Sequence, residues 1–112
     1  MRAISFMLTE PQIVARTKTV TRRVGWWKLK IGEQLRGVRK AMGLKKGQKQ
    51  HQLCVIEVVS VRMERLRSIT AAEVIAEGFP SMTPAEFVEM FCKSHSGCTP
   101  DTTINRIEFK YL

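Results

Sequence analysis

The spacing of apolar residues changes several times along the chain, and each change marks an element. Ala3-Ile4-Ser5-Phe6-Met7 alternates, which predicts a short strand. Thr9-Glu10-Pro11-Gln12 carries the chemistry of a helix start. Thr9 is a capping residue, Pro11 suits the first turn, and Gln12 stands three after Thr9 as a capping box requires. The helix it opens is short, 10–16, with Ile13 and Val14 as its buried side. Gln34–Arg39 predicts a strand fed by the turn at Gly32-Glu33. Leu53–Val61 is β-branched and almost continuously apolar, so it predicts a central strand, with Cys54 as a small core residue.

Thr70 and Glu73 form a second capping box, opening a helix that runs to Ala76. Gly78 and Pro80 then break it. Glu77 is left at the helix end beside a tight turn, a position suited to pointing into a cleft. Thr83-Pro84-Ala85-Glu86 starts a third helix whose apolar face is Phe87, Met90 and Phe91. Residues 94–103 are a loop of Ser, Gly, Thr and Pro. Ile107, Phe109 and Tyr111 alternate with Arg106, Glu108 and Lys110 in a final strand with one buried face. The sum is an α+β chain: one domain over 1–112, with a mostly antiparallel, barrel-like sheet and short flanking helices.

One stretch departs from this scaffold. Lys18-Thr19-Val20-Thr21-Arg22-Arg23 packs three cations and two hydroxyls into six residues. Its β-branched positions favour an extended backbone. Extended, it aims Lys18, Val20 and Arg22 one way and Thr19, Thr21 and Arg23 the other. A twist would bring Lys18 and Thr21 to one mouth.

Charge sharpens that picture. The net charge of +9 is unevenly spread. Residues 1–52 carry 13 Lys or Arg against Glu10 and Glu33, a net of +11, and residues 53–112 carry 6 against 8 acids, a net of −2. A basic half beside a near-neutral half is the footprint of a polyanion binder, whether RNA or a nucleotide. Lys45-Lys46-Gly47-Gln48-Lys49 is a cationic hairpin tip, able to touch phosphate as a set of point charges. Of Arg22 and Arg23, at most one is expected to line a cleft and hold phosphate. Trp26, in the Gly25-Trp26-Trp27 step, is a candidate to stack on a base. No apolar run approaches the ~18 residues of a membrane span, and Glu10 and Pro11 interrupt any signal peptide. A cytoplasmic monomer with no membrane partner is expected.

Three cysteines argue against a disulfide framework. Cys92, His95 and Cys98 offer three zinc ligands where a structural site wants four, so no metal or other cofactor is expected and the default is a loop of free thiols.

Taken together, four segments resemble an ASCH domain of the PUA-like superfamily of small β-barrels. They are Lys18–Arg23 after a short helix, Gly32-Glu33 before a strand, Glu77-Gly78-Phe79, and the closing Arg106-Ile107-Glu108-Phe109. The likeness covers essentially the whole chain. Phe91-Cys92 and Cys98 before the last strand are similar to the short stand-alone ASCH proteins of bacteria and phages. The resemblance implies a barrel with a cleft beside the Lys-Thr-x-Thr segment that takes RNA, a nucleotide or a modified nucleoside. Some small members are amidohydrolases that remove the acetyl group from N4-acetylcytidine. Carried over by motif, the catalytic set is Lys18, Thr21 and Glu77. Other members are ribonucleases. The longer basic middle region, the Trp pair and the Cys-containing loop depart from the amidohydrolase pattern.

These residues admit three uses. In an amide hydrolase Thr21 is the nucleophile or positions a water, Lys18 is the base, and Glu77 shuttles the proton to the amine. In a binding site Lys18 holds a phosphate, Thr21 hydrogen-bonds a base, and Glu77 accepts from an exocyclic amine. In a purely structural role Lys18 and Glu77 are an ion pair. A third kind of function is a protein-interaction module with a positive face.

Overall fold

A computed structural model describes all 112 residues. Five strands form one sheet: β1 (Arg2–Ser5), β2 (Val20–Arg23), β3 (Gln34–Val38), β4 (Gln52–Arg65) and β5 (Thr103–Tyr111). The spatial order is β1-β3-β4-β5-β2. β1 runs parallel to β3, and the other three pairings are antiparallel. Three short helices flank the sheet: α1 (Glu10–Val14), α2 (Ala71–Ala76) and α3 (Pro84–Lys93). The mostly antiparallel α+β architecture is the expected one. The sheet curls into a half-barrel and leaves β1 and β2 as unpaired edges.

The predicted central strand is central, and longer than the apolar run implied. β4 continues past Val61 to Arg65 because it pairs with β5 down to Arg65 and Thr103. Its register with β5 shifts between Val58 and Ser60, leaving Val59 exposed. An extra residue of this kind bends a strand and increases its twist, which helps the sheet curl. On one side of the sheet Ile4, Phe6, Ile13, Leu35, Ile56 and Phe109 share a core. Leu66, Ile69, Val74, Phe87, Phe91 and Ile104 form a second core beneath α2 and α3. Gly37 is required by the first: a Cβ there would lie 2.5 Å from Cys54 Sγ and 3.1 Å from the Phe6 ring.

The helix starts divide by their surroundings. Thr83 and Glu86 close the expected capping box, and Thr70 accepts from the Glu73 amide. Thr9 makes no side-chain cap, and the predicted box with Gln12 does not form. Thr9 is buried, and Gln12 Nε2 instead donates to Gly78 O at 3.2 Å, tying α1 to the turn after α2. α1 also ends early. Arg16 takes a left-handed φ of 59°, and Val14, expected inside, is 66% exposed. No helix is long and apolar enough to cross a membrane.

Candidate functional site

The turn after α2 and the lead-in to β2 meet at one buried point. Thr19 N donates to Ala76 O at 2.8 Å, which docks the basic segment against the end of α2. Gly78 follows with φ +104°, a conformation suited to glycine. A Cβ there would meet Gln12 Cγ at 2.9 Å, so the close approach also demands glycine. This turn sends the Glu77 side chain inward, where it is 3% exposed.

Lys18 Nζ donates to Glu77 Oε1 at 2.9 Å and to the Glu77 carbonyl at 2.8 Å. The other carboxylate oxygen accepts from Arg22 at 3.0 Å. The Arg22 guanidinium is fully buried and also donates to Glu64 at 3.2 Å and Glu73 at 3.1 Å. Arg106 extends the network, donating to both Glu73 oxygens at 2.6 and 3.0 Å. Burial pushes the Lys18 ammonium below its ordinary pKa, and the Glu77 charge only partly opposes this. The hydrogen bond from Arg106 holds the Glu73 carboxyl low, against its own desolvation.

Lys18 and Glu77 lie on the wall of a cavity of about 380 Å³. That volume falls within the roughly 300–1,000 Å³ of ligand pockets. Thr21, Arg22 and Arg23 line it as well, so both sides of the basic segment face one space. β2 is an edge strand, which leaves that space open to both. Its apolar wall is Phe6, Met7, Leu8, Phe79, Phe87, Met90 and Phe91. Ser94 and His95 complete the rim.

The donors divide into claimed and unclaimed. Lys18 has three ammonium protons, and two are taken by Glu77. Thr21 Oγ1 accepts from Arg23 Nε at 3.2 Å, which leaves its own proton free. Arg22 Nε is buried without a partner. Arg23 turns away to donate to Ser5 O at 2.6 Å, with its guanidinium 5.4 Å from the Phe6 ring centre. Burial brings Arg23 down to about 10.

Several predicted contacts lie elsewhere. Trp26 is not on the cavity wall. It packs against the sheet core under the Arg2 guanidinium, and its carbonyl accepts from Asn105. Thr19 precedes β2 and is exposed outside the cavity, although alternation puts it with Thr21 and Arg23. Arg22 has no exposed guanidinium to offer a phosphate while its three carboxylates hold it. His95 does not join the other two zinc candidates, so the three form no ligand set. His95 stacks on Phe91 with ring centres 4.0 Å apart and donates through Nδ1 to Phe91 O at 2.8 Å, while Cys92 and Cys98 face each other.

Sequence reasoning missed His95 as a cavity residue. With Nδ1 donating to a carbonyl, the neutral ring keeps Nε2 as an acceptor. It also missed Glu64, Glu73 and Arg106 as partners of the buried cations. Arg106 sits on the strand face that alternation marked as polar, yet α2 covers it through Glu73. A larger groove of about 870 Å³ lies beside α3, lined by Val88, Cys92, Cys98 and Pro100. None of Lys18, Thr21 or Glu77 lines it, so the smaller cavity is the candidate site.

No protein-family model and no curated protein matches this chain. Solved structures do. An ASCH domain from Lactobacillus crispatus superposes with a TM-score of 0.75 at 14% identity, covering 98% of this chain and 78% of that one. A protein of Enterococcus faecalis from the family DUF984 gives 0.68 at 16%, covering 100% and 76%. A hypothetical protein, PH0355, gives 0.66 at 15%, covering 99% and 96%. The chain therefore carries the ASCH-like, PUA-like fold that its four segments resembled.

Proposed function

We propose that the cavity binds a nucleobase, as part of RNA or as a modified nucleoside, with the basic surface around it holding phosphate. The observation that carries this reading is the pair of unclaimed donors, Lys18 N–H and Thr21 O–H, on the wall of a cavity that Phe6, Phe79, Phe87 and Phe91 also line. Flat aromatic walls suit a planar ring, and converging donors suit its carbonyl oxygen or ring nitrogen. Lys40, Lys45, Lys46 and Lys49 on the β3–β4 connection are exposed and lack an acidic partner, which suits a phosphate backbone.

A second reading is supported by the lowered pKa of Lys18. An amine whose pKa is pushed down by burial, sharing a cavity with a hydroxyl and a carboxylate, suits amide hydrolysis of an N4-acetylcytidine-type substrate. Lys18 takes the proton of Thr21 or of a water held by it, and Glu77 passes a proton to the departing amine.

Two assays test these readings. Titrating single-stranded RNA against salt should give affinity that falls steeply as salt rises. The absence of any binding at low salt would remove RNA from the first reading and leave only a free nucleoside. Chromatography for cytidine released from N4-acetylcytidine, wild type beside Thr21→Val, tests the second. Turnover lost in the variant supports it, and no turnover by the wild type removes it.

A further inference from the structure

Cys92 lies in the last turn of α3, and Cys98 lies in the loop that returns to β5. Their sulfurs are 2.8 Å apart, and both residues are partly exposed. The chain between them is folded back by its own hydrogen bonds. Ser94 Oγ donates to Met90 O and Phe91 O, His95 Nδ1 donates to Phe91 O, and Cys98 N donates to His95 O at 3.2 Å. Gly97, with φ +74°, takes the left-handed step that completes the reversal. The two thiols are thus set face to face by the backbone, on the wall of the groove beside α3. Cys54 takes no part, being packed against the sheet core next to Gly37.

We propose that Cys92 and Cys98 are a reversible dithiol, oxidised by small disulfides to an intramolecular disulfide. A bonded pair needs a separation of ~2.05 Å, so the remaining approach is short and the loop need not refold. In the first step a cysteine thiolate attacks one sulfur of the small disulfide, whose S–S bond breaks to release one thiol. In the second, the other cysteine loses its proton to solvent and attacks the mixed disulfide, releasing the second thiol. The protein loses two protons and two electrons, and the small disulfide gains them as its two thiols form. In a reducing compartment such a pair is transient and reports redox state instead of stapling the fold. Closure would enclose Ser94 and His95 in the ring, and both line the neighbouring cavity.

The test is to equilibrate the folded protein in glutathione buffers from reduced to oxidised, quench with acid, alkylate free thiols and read the mass. In oxidised buffer the expected result is a loss of about 2 Da before alkylation, with Cys54 the only residue alkylated. A linked 92–98 peptide and full reversal in reduced buffer complete it. Cys54→Ser should behave like wild type, and Cys92→Ser should halt at a glutathione adduct on Cys98. Three alkylated cysteines in oxidised buffer would overturn the proposal, as would wild-type protein that stops at glutathione adducts.

Discussion

Lys18 donates twice to Glu77, once to its carboxylate at 2.9 Å and once to its backbone carbonyl at 2.8 Å. The double contact fixes both the charge and the position of the turn that follows α2. Both side chains are 3% exposed, so neither charge has water to fall back on. Arg22 takes the remaining carboxylate oxygen, and one acid therefore serves two buried cations.

Glu77→Gln is expected to destabilise the fold by ~3–5 kcal/mol, the cost of leaving buried charges uncompensated. Glu77→Gln combined with Lys18→Met should cost less than the two single changes added, because the pair is removed together. Urea unfolding of the four proteins in this cycle checks it. Strict additivity would mean that Lys18 and Glu77 do not interact.

The Glu73 carboxyl is held below its ordinary value chiefly by the Arg106 hydrogen bond. A group whose folded pKa is depressed contributes stability that is complete above its unfolded value, about 4.3 for Glu. That stability is lost as pH falls through the folded value. Glu64, desolvated but held low by Arg62 and Arg22, acts in the same direction. The urea midpoint is therefore expected to drop as pH falls below about 4.3, and Glu73→Gln should flatten that drop. An unchanged pH profile in the variant would assign the acid sensitivity to other carboxylates.

Thr21→Val removes the free hydroxyl proton from the cavity while keeping the side-chain shape. Nucleobase-ligand affinity should fall about tenfold, the scale of one hydrogen bond. Thr21→Ser keeps the hydroxyl and should keep the affinity. Isothermal titration of both variants separates a hydroxyl contact from a packing effect.

Gly78→Ala meets two obstacles, a φ of +104° and the Gln12 side chain 2.9 Å away. It should destabilise by more than ~1 kcal/mol. Shortening Gln12 to Ala in the same chain removes the 2.9 Å contact with Cγ, and leaves the Cβ contact at 3.1 Å and the backbone strain. Thermal melts should therefore show partial recovery. Full recovery would mean that the strain at Gly78 is negligible.

The sequence was most readable where local chemistry and tertiary position agree. Thr83, Pro84 and Glu86 specify the start of α3 through contacts within a single turn, and that turn is built as expected. Leu53–Val61 reads as central because apolar residues fill both faces. Thr9 and Gln12 misled because the same side chains found distant partners: Gln12 bonds to a residue 66 positions away. Arg106 misled for a related reason, since strand alternation marks a polar face without saying whether another element covers it. In the site, Lys18, Thr21 and Glu77 were legible and do gather on one wall. Trp26 and Thr19 were not excluded by any local signal, because the direction of a loop or edge residue depends on how the sheet curls. The basic first half also concealed its own neutralisation. Lys18 and Arg22 are paired with acids from the second half, so part of the apparent surface charge is internal.

Arg23 has a role beyond lining the cavity. Its guanidinium donates across from β2 to Ser5 O, where the two free edges of the sheet come together. No strand ladder joins those edges, so the half-barrel is fastened there by a clasp and not by a seam. A clasp opens by rotating one side chain, without breaking a row of backbone bonds. Beside the cavity, the barrel is therefore closed by a side chain and not by strand pairing, and every strand pairing is independent of that contact.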